Sequence, residues 1–327
     1  MKIYNKLQTQ QLINELANKG KDFIFVISYD MNNNIIEETK DIDNNRIMIQ
    51  LSDFSNAHNI KQETKIKPIL TFDKPDIDKY NKAINFVKDN QQRGNSYLTN
   101  LTWKIPIVTN LSLKDLYIQA KSKYKIWIRD KFLCFSPETF IRIEKNIISS
   151  YPMKGTIDAT STNALQKLIN NPKEAAEHAT IVDLIRNDLS IVANGVKVDK
   201  YRYADIIETD RGNIIQTSSK ITANVLPYYQ NHIGELIFKL LPAGSITGAP
   251  KTKTIEIIKQ AENYNRNFYT GIMGRWANAK LDSAVMIRFI DIEDNQLYYK
   301  AGGGITTQSN NEDEYNEIIE KIYVPVH

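Results

Sequence analysis

Short apolar runs dominate the first half of the chain and predict a strand-rich, mostly antiparallel region. Residues 22–30 (DFIFVISYD) are typical of a buried strand, and residues 96–108 (SYLTNLTWKIPIV) alternate between apolar and polar side chains. Residues 123–150 predict several short strands in succession. One helix interrupts this region, because apolar side chains between Asp78 and Asn90 recur at the spacing that buries a single helical face.

Helical patterns take over after residue 160. The predicted helices span residues 161–170, 172–193, 233–242, 251–263 and 312–324. Pro172 suits the first position of the second of these helices. Residues 283–305 return to a pair of strands. Strands with long inserted helices predict an α+β fold, in which a layered, mostly antiparallel β core carries its helices outside.

Composition narrows the class of protein. The chain has 327 residues, of which 42% are hydrophobic and 24% charged, so it can bury a large core. Its 42 basic and 38 acidic side chains give a net charge of +4. This balance is too even for a protein that binds nucleic acid through charge alone. It is compatible with a small anionic substrate.

The sequence shows no secretory signal and no membrane-spanning stretch, and it contains a single cysteine. The N-terminal residues lack the apolar core of a secretory signal, and no apolar stretch is long enough to cross a membrane, so we expect a cytoplasmic protein. Cys134 is the only cysteine, which excludes an internal disulfide. Because it lies between apolar strand residues, we expect Cys134 to pack as a small hydrophobic side chain.

Two predicted helices each carry a pair of glutamates three residues apart. Glu174 and Glu177 project from one helical face, and Glu314 and Glu317 repeat the spacing, with Lys321 one turn beyond. Each pair alone is typical of a solvated face. If the two helices converge, the four carboxylates instead form an oxygen-rich site for a cation such as Mg²⁺. The sequence leaves both alternatives open.

Two glycine-rich segments favour close approach of a ligand to the backbone. Residues 241–251 (LPAGSITGAPK) precede a predicted helix but lack the spacing of a phosphate-binding P-loop. Exposed amides at a helix start still favour an anion such as a carboxylate. Residues 301–305 (AGGGI) follow a strand. Arg288 could hold a carboxylate through two hydrogen bonds, or could form an ordinary surface ion pair.

Lys154, in the PMKGT segment (152–156), reads in isolation as a solvated turn residue. However, five segments occur together in a fixed order: PMKGT, IVDLIRNDLS (181–190), LPAGSITGAPK, LDSAVMIR (281–288) and AGGGI followed by EDEYNE. Their order and spacing resemble those of the chorismate-utilising enzymes. The resemblance runs from about residue 94 to the C-terminus. It implies a single catalytic domain over residues 1–327, with residues 1–90 a shortened N-terminal part of the same unit.

Within that family, the resemblance implies the component I type of aminodeoxychorismate synthase, which converts chorismate and ammonia to 4-amino-4-deoxychorismate for p-aminobenzoate and folate synthesis. Lysine before Gly-Thr is typical of these enzymes, whereas anthranilate synthases typically have alanine there. The implied chemistry makes Lys154 a nucleophile that forms a covalent intermediate, with Glu138 as general acid. The lysine must lose its proton, so we expect desolvation or a neighbouring cation to lower its pKa.

The resemblance also implies a substrate and metal site. Glu177 and Glu317 match the Mg²⁺ ligands, with Glu174 and Glu314 beside them and acting through water. The matching substrate contacts are Gly155, Thr156, Thr247, Tyr269, Arg288, Gly302, Gly303, Gly304 and Lys321. The ammonia is expected from a glutamine amidotransferase subunit in a heterodimer, because no cysteine nucleophile motif accompanies the four histidines.

Four departures from the family pattern keep alternatives open. Gln216 replaces a histidine, Leu98 replaces a glutamine, Arg275 replaces an aromatic residue, and residues 157–158 replace Arg-Pro. A non-catalytic chorismate-binding or partner-binding relative is therefore one alternative. Anthranilate synthase component I is the other, although Lys154 and the short N-terminal part argue against it. Leu98 disfavours enzymes that add water to chorismate, since these place a lysine at that position.

Overall fold

The computed structural model describes residues 1–58, 60, 66–209 and 212–326. The helices are α1 (Lys6–Asn18), α2 (Ile77–Gln92), α3 (Leu113–Gln119), α4 (Ala164–Asn170), α5 (Pro172–Ser190), α6 (Pro227–Gln230), α7 (Ile233–Leu240), α8 (Lys251–Ala261) and α9 (Asn311–Glu320), with short 3₁₀ turns at Thr39–Asp41 and Gly244–Ile246.

The strands are β1 (Phe23–Ile27), β2 (Ile35–Glu38), β3 (Ile47–Leu51), β4 (Phe54–Ser55), β5 (Leu70–Thr71), β6 (Leu98–Thr109), β7 (Tyr124–Ile128), β8 (Phe132–Ser136), β9 (Thr139–Glu144), β10 (Ile147–Ser150), β11 (Met153–Asp158), β12 (Ala193–Thr209), β13 (Gly212–Val225), β14 (Gly248–Ala249), β15 (Ile272–Ala277), β16 (Lys280–Val285), β17 (Phe289–Glu293) and β18 (Gln296–Ile305).

These strands form two antiparallel sheets. The first has the order β11-β13-β10-β9-β16-β15-β1-β2, with β12 also paired to β13. The second has the order β14-β6-β18-β17-β8-β7-β3-β4, with β5 also paired to β6. Strands β1 and β2 belong to the first sheet and β3 and β4 to the second, so the N-terminal part contributes to both.

Side-chain alternation along β1 shows how the layers stack. Ile24 and Val26 pack into a core between the two sheets, where they meet side chains of β3, β7 and β8. Phe23, Phe25 and Ile27 face the opposite way, into a core that the first sheet shares with α1, α5 and α7. A third core lies between the second sheet and α2, α3, α8 and α9. The predicted α+β architecture, with helices outside a layered antiparallel core, is confirmed.

Helix boundaries follow local capping signals. The Asn171 side chain accepts hydrogen bonds from the backbone amides of Lys173 and Glu174, and Pro172 occupies the first position of α5, as predicted. Asn310 caps α9 in the same way. The helix predicted over 172–193 ends earlier, at Ser190, because Ala193 begins β12. The last helix ends at Glu320 rather than 324.

Several elements differ from the sequence prediction. The predicted strand pair over 283–305 consists of the end of β16 and the hairpin β17–β18, because the backbone breaks at Arg288, which has a φ of +53°. Helices α1 and α3 and the long hairpin β12–β13 were not predicted. Cys134 is fully buried between the sheets, as expected. In the described part of the chain, no helix has both the length and the apolarity needed to cross a membrane.

Candidate active site

A cavity of about 480 Å³ lies where the two sheets meet α5, α9 and the glycine-rich segment 241–251. Ten of the residues predicted from sequence line it: Glu138, Lys154, Glu177, Tyr269, Arg288, Gly302, Gly303, Gly304, Glu317 and Lys321. These residues come from segments spread over almost 200 positions of the chain. Gly155, Glu174, Thr247 and Glu314 are outside the lining, and the side chain of Thr156 is outside the described structure.

Lys154 projects from β11 toward helix α5. Its Nζ lies 2.8 Å from Oε2 of Glu177, and the lysine side chain is 35% exposed. Although burial acts in the opposite direction, the carboxylates of Glu177, Glu317 and Glu174 raise the pKa of Lys154 above its ordinary value. The expectation of a lowered pKa is therefore wrong for this arrangement. The lysine is a charged ammonium at neutral pH, because the nearest groups are anions.

The predicted acidic pairs of α5 and α9 both approach this ammonium. Glu317 forms an ion pair with Lys321 at 2.5 Å. Glu314 is almost fully buried, and its carboxylate accepts a hydrogen bond from the Ser309 hydroxyl at 2.8 Å. Burial raises the pKa of the Glu314 carboxyl. The alternative of two separate solvated faces therefore does not describe these helices.

Gly155 is required by its contact with α5. It has a φ of +85°, and a Cβ atom at this position would lie 2.7 Å from Oε2 of Glu174. That oxygen is buried and has no hydrogen-bond partner among the described residues. An unpartnered buried carboxylate oxygen beside a second glutamate has the chemistry of a divalent-cation site.

The four glutamate carboxylates of α5 and α9 are not arranged as a complete metal-binding site in this structure. Within the described ranges, no three His, Cys, Asp or Glu side chains are grouped closely enough to hold an ion. Two of the four glutamates are instead paired with Lys154 and Lys321. The donor set fits Mg²⁺ in its chemistry, and binding an ion would require the lysines to give up these contacts.

Glu138 lies in the short connection between β8 and β9. The Ser245 hydroxyl, from the glycine-rich segment, donates a hydrogen bond to its Oε1 atom. Burial raises the pKa of the Glu138 carboxyl, and the Ser245 contact and the cations Arg288 and Lys321 oppose this rise only in part. A carboxyl with a raised pKa retains its proton more readily and can act as a general acid.

Cationic and backbone groups also line the cavity. The Arg288 Nε atom is buried and has no partner among the described residues. Lys321 donates a hydrogen bond to the Gly302 carbonyl at 2.7 Å, and burial lowers the pKa of its ammonium group. A Cβ atom on Gly303 would lie 3.2 Å from Oε2 of Glu314, so glycine keeps this wall close to α9. These groups can bind carboxylates.

Thr247 does not face the cavity. Its hydroxyl is buried and donates to the Ala243 carbonyl at 2.9 Å, within the glycine-rich segment. Leu98, by contrast, lines the cavity and lies close to Gly304. Arg275 forms an ion pair with Asp22 and lies over the ring of Phe54, away from the cavity lining. Gln216 pairs with Thr156 across β11 and β13.

Sequence reasoning missed several groups around the cavity. Asp188 lines it and forms an ion pair with Lys251 at 3.0 Å, which joins the segments IVDLIRNDLS and LPAGSITGAPK. His178 is fully buried, with its Nε2 atom 2.7 Å from the Ser219 hydroxyl, and burial lowers its pKa. Asp188 and Lys251 stand inside quoted motifs, so the motifs themselves were the available signal. No comparable signal marked His178.

Comparison with known proteins agrees with this geometry. Residues 27–327 match the family described as chorismate binding enzyme. The chain belongs to this family. The match begins at the end of β1 and so extends further toward the N-terminus than the segments recognised in the sequence. Among curated proteins, an uncharacterized PabA-like protein of Haemophilus influenzae is 51% identical over 247 residues, which are 76% of this chain and 75% of that protein.

Proteins whose names state an activity are less similar in sequence to this chain than the PabA-like protein. Aminodeoxychorismate synthase component 1 of Salmonella typhimurium is 36% identical over 203 residues, which cover 60% of this chain and 43% of that protein. The menaquinone-specific isochorismate synthase MenF of Escherichia coli has a TM-score of 0.76 at 15% identity, over 98% of this chain and 82% of its own. At this identity, the structural likeness establishes a shared fold only.

Proposed function

We propose that this protein is an aminodeoxychorismate synthase component I, which converts chorismate and ammonia to 4-amino-4-deoxychorismate for p-aminobenzoate and folate synthesis. The observation that carries the proposal is the position of Lys154. Its ammonium group lines the same cavity as the Glu138 carboxyl and the Arg288 guanidinium. A nucleophile, an acid and carboxylate-binding cations are the groups that this substitution reaction needs.

The proposed reaction balances as two substitutions. The deprotonated Lys154 amine attacks C2 of chorismate, the ring double bonds shift, and the C4–oxygen bond breaks, with Glu138 protonating the departing hydroxyl to give water. Ammonia then adds at C4, the double bonds shift back, and the C2–nitrogen bond breaks to release the lysine amine. Arg288, Lys321 and Tyr269 hold the substrate carboxylates while this occurs.

The Glu177 and Glu317 carboxylates are the proposed Mg²⁺ ligands, with Glu174 and Glu314 beside them. When bound, the ion would anchor a substrate carboxylate and offset the negative charge that now raises the pKa of Lys154. The unpartnered Glu174 oxygen supports this assignment. Binding of the ion by Glu177 would require Lys154 and Glu177 to separate from their contact of 2.8 Å.

The ammonia donor is proposed to be a separate glutamine amidotransferase subunit. Cys134, the only cysteine, is fully buried, its Sγ atom contacts the Ile287 carbonyl, and burial raises the pKa of its thiol well above the ordinary value. A thiol in this setting cannot serve as the reactive thiolate of an amidotransferase. The proposed role in p-aminobenzoate and folate synthesis supports a cytoplasmic location.

Product analysis tests the proposal. The purified chain is incubated with chorismate, Mg²⁺ and ammonium at alkaline pH, and the products are separated by chromatography and identified by mass. We expect 4-amino-4-deoxychorismate, with little anthranilate or isochorismate. Anthranilate as the main product would favour anthranilate synthase component I, and binding of chorismate without turnover would favour a non-catalytic relative.

A further inference from the structure

A buried ion pair lies directly behind the cavity and outside its lining. Glu262, just after α8, and Arg266, four residues later, form a contact of 2.6 Å, and their side chains are 2% and 1% exposed. Removing two charges from water is costly unless each finds several partners. These two side chains do find several partners, two of which, Ile246 and Asn100, line the cavity.

Arg266 makes five hydrogen bonds through its three nitrogen atoms. Two reach the Glu262 carboxylate, at 2.8 and 2.6 Å. The other three reach the Ile246 carbonyl at 2.9 Å, the Asn100 carbonyl at 2.7 Å and the Thr270 hydroxyl at 3.3 Å. Ile246 and Asn100 themselves line the cavity. A planar guanidinium fixes the directions of all its donors at once, so these three points are held in one geometry.

Glu262 links the ion pair to the Gly302–Gly304 segment of β18, which lines the cavity. Its Oε1 atom accepts hydrogen bonds from the backbone amide and the hydroxyl of Thr102, both at 2.8 Å. Thr102 pairs with Gly302 across β6 and β18, and Asn100 pairs with Gly304. The position of the Gly302–Gly304 backbone is therefore tied to the same ion pair.

Thr270 connects the ion pair to Tyr269. The Thr270 hydroxyl donates to the Tyr269 carbonyl at 2.6 Å while it accepts from Arg266. Thr270 has a φ of +61°, which is costly for a β-branched residue and persists only where surrounding contacts hold it. The Arg266 contact is one of these.

We propose that Glu262 and Arg266 are positioning residues that set the distances between three walls of the cavity: the glycine-rich segment at Ile246, the Gly302–Gly304 strand and Tyr269. They act through these backbone and side-chain contacts and do not touch the substrate. The role in turnover rests on the proposed function, because it concerns the walls assigned there to chorismate.

Replacing either charged residue would leave the other buried and unpaired, so the test uses their hydroxyl partners. Thr270→Val keeps the β-branched shape and the backbone cost but removes the hydroxyl, and Thr270→Ser keeps the hydroxyl. Thr102→Val removes one contact at the Glu262 end. Thr9→Val is the matched control: this buried threonine of α1 lies outside the cavity lining, and its hydroxyl likewise donates to a backbone carbonyl, that of Asn5, and accepts from a side chain, that of Asn34.

Steady-state kinetics with chorismate and ammonium are measured beside thermal unfolding. We expect Thr270→Val to lower kcat/KM for chorismate by about five-fold or more, chiefly through KM, since small displacements of positioning groups have large effects on rate. Thr270→Ser should keep kcat/KM near the wild-type value. Thr9→Val should also leave kcat/KM at the wild-type value, while the Tm of the two valine variants falls by similar amounts, because each loses two buried hydrogen bonds.

A loss smaller than about five-fold in Thr270→Val, or an equal loss in Thr9→Val, would overturn the positioning role. If Thr270→Val fails to fold, the kcat/KM of Thr102→Val is measured instead, and the same limit of about five-fold applies to its loss. Failure of the proposed function is recognised separately, since the wild-type chain would then form no aminodeoxychorismate. In that case the same variants are compared by their Kd for chorismate, with the same expected and overturning results.

Discussion

Lys154 is surrounded by carboxylates, and this setting determines how the residue can act. The ammonium form has no lone pair, and Glu177 at 2.8 Å, with Glu317 and Glu174, favours that form. In the proposed mechanism, the lysine would have to lose its proton and its contact with Glu177 before attacking, and a cation held by the carboxylates would favour this by offsetting their negative charge. In the structure, the Lys154 ammonium is paired with Glu177 at the cavity lining.

Lys154→Ala should abolish turnover and leave the fold intact. Loss of a nucleophile removes on the order of 10³-fold or more of kcat, because binding and the remaining groups supply only residual catalysis. The side chain is one third exposed, so we expect Tm to shift by less than about 2 °C. Lys253→Ala, at an exposed position of α8, is the control for removing a lysine. Turnover by Lys154→Ala at the wild-type rate would refute covalent catalysis by this residue.

The raised pKa of Glu138 predicts a loss of activity with rising pH. The protonated carboxyl is the form that donates to the departing hydroxyl, so the kcat contribution is present below the raised pKa and declines as pH passes through it. Glu138→Gln cannot donate this proton and should lower kcat by about 10²–10⁴-fold. The kcat–pH profile, measured at a fixed concentration of NH₃, checks this prediction. A wild-type profile with no decline on the rising-pH side, or a decline that Glu138→Gln retains, would contradict the role of Glu138.

At the scale of elements, helices α5 and α9 bring the two glutamate pairs to one side of the cavity. Each helix begins at an asparagine cap, Asn171 and Asn310, which fixes the first turn and therefore the direction in which the glutamates project. The sequence spacing could predict that each pair shares a helical face. It could not predict that the faces meet, because 136 residues, which include α6, α7, α8 and strands β12 to β18, separate Glu177 from Glu314, the nearest members of the two pairs in sequence.

Glu177→Gln and Glu317→Gln should each weaken the dependence of activity on Mg²⁺. Glutamine keeps the shape of the side chain but removes the charge that a divalent cation requires. We expect a higher Mg²⁺ concentration for half-maximal activity in both variants, together with a lower maximal rate. Glu256→Gln, an exposed glutamate of α8, is the control. If both cavity variants kept the wild-type Mg²⁺ titration, α5 and α9 would not share a metal site.

At the scale of the whole molecule, motif order predicted most of the cavity but not what holds it together. Lys154 and Arg288 stand in two of the five ordered segments, whereas Glu138 was assigned only through the family resemblance. Arg266 and Glu262 carry the ordinary spacing of a surface ion pair, and only the fold reveals that both are buried. The β12–β13 hairpin escaped prediction because its residues 193–225 contain many polar side chains at partly exposed positions. Whether such polar segments form strands depends on tertiary packing rather than on the local sequence pattern.

The isolated chain should use free ammonium and fail to use glutamine. NH₃ is the reactive species, so the NH₃ available to the enzyme at a constant total ammonium concentration should increase with pH. With glutamine, activity should require an added amidotransferase subunit. Glutamine-dependent turnover by the isolated chain, with contaminating amidotransferase excluded by mass spectrometry, would contradict this expectation and require a nucleophile other than Cys134.

Covalent attachment of chorismate to Lys154 is the central claim, and mass spectrometry of the quenched protein tests it most directly. The chain is mixed with chorismate and Mg²⁺ without ammonium, quenched, digested and mapped. The account predicts a peptide containing Lys154 whose mass has increased by that of chorismate less one water. The adduct should be absent from Lys154→Ala and should disappear when ammonium is added before quenching. An active enzyme with no such adduct, or an adduct on another residue, would contradict the account.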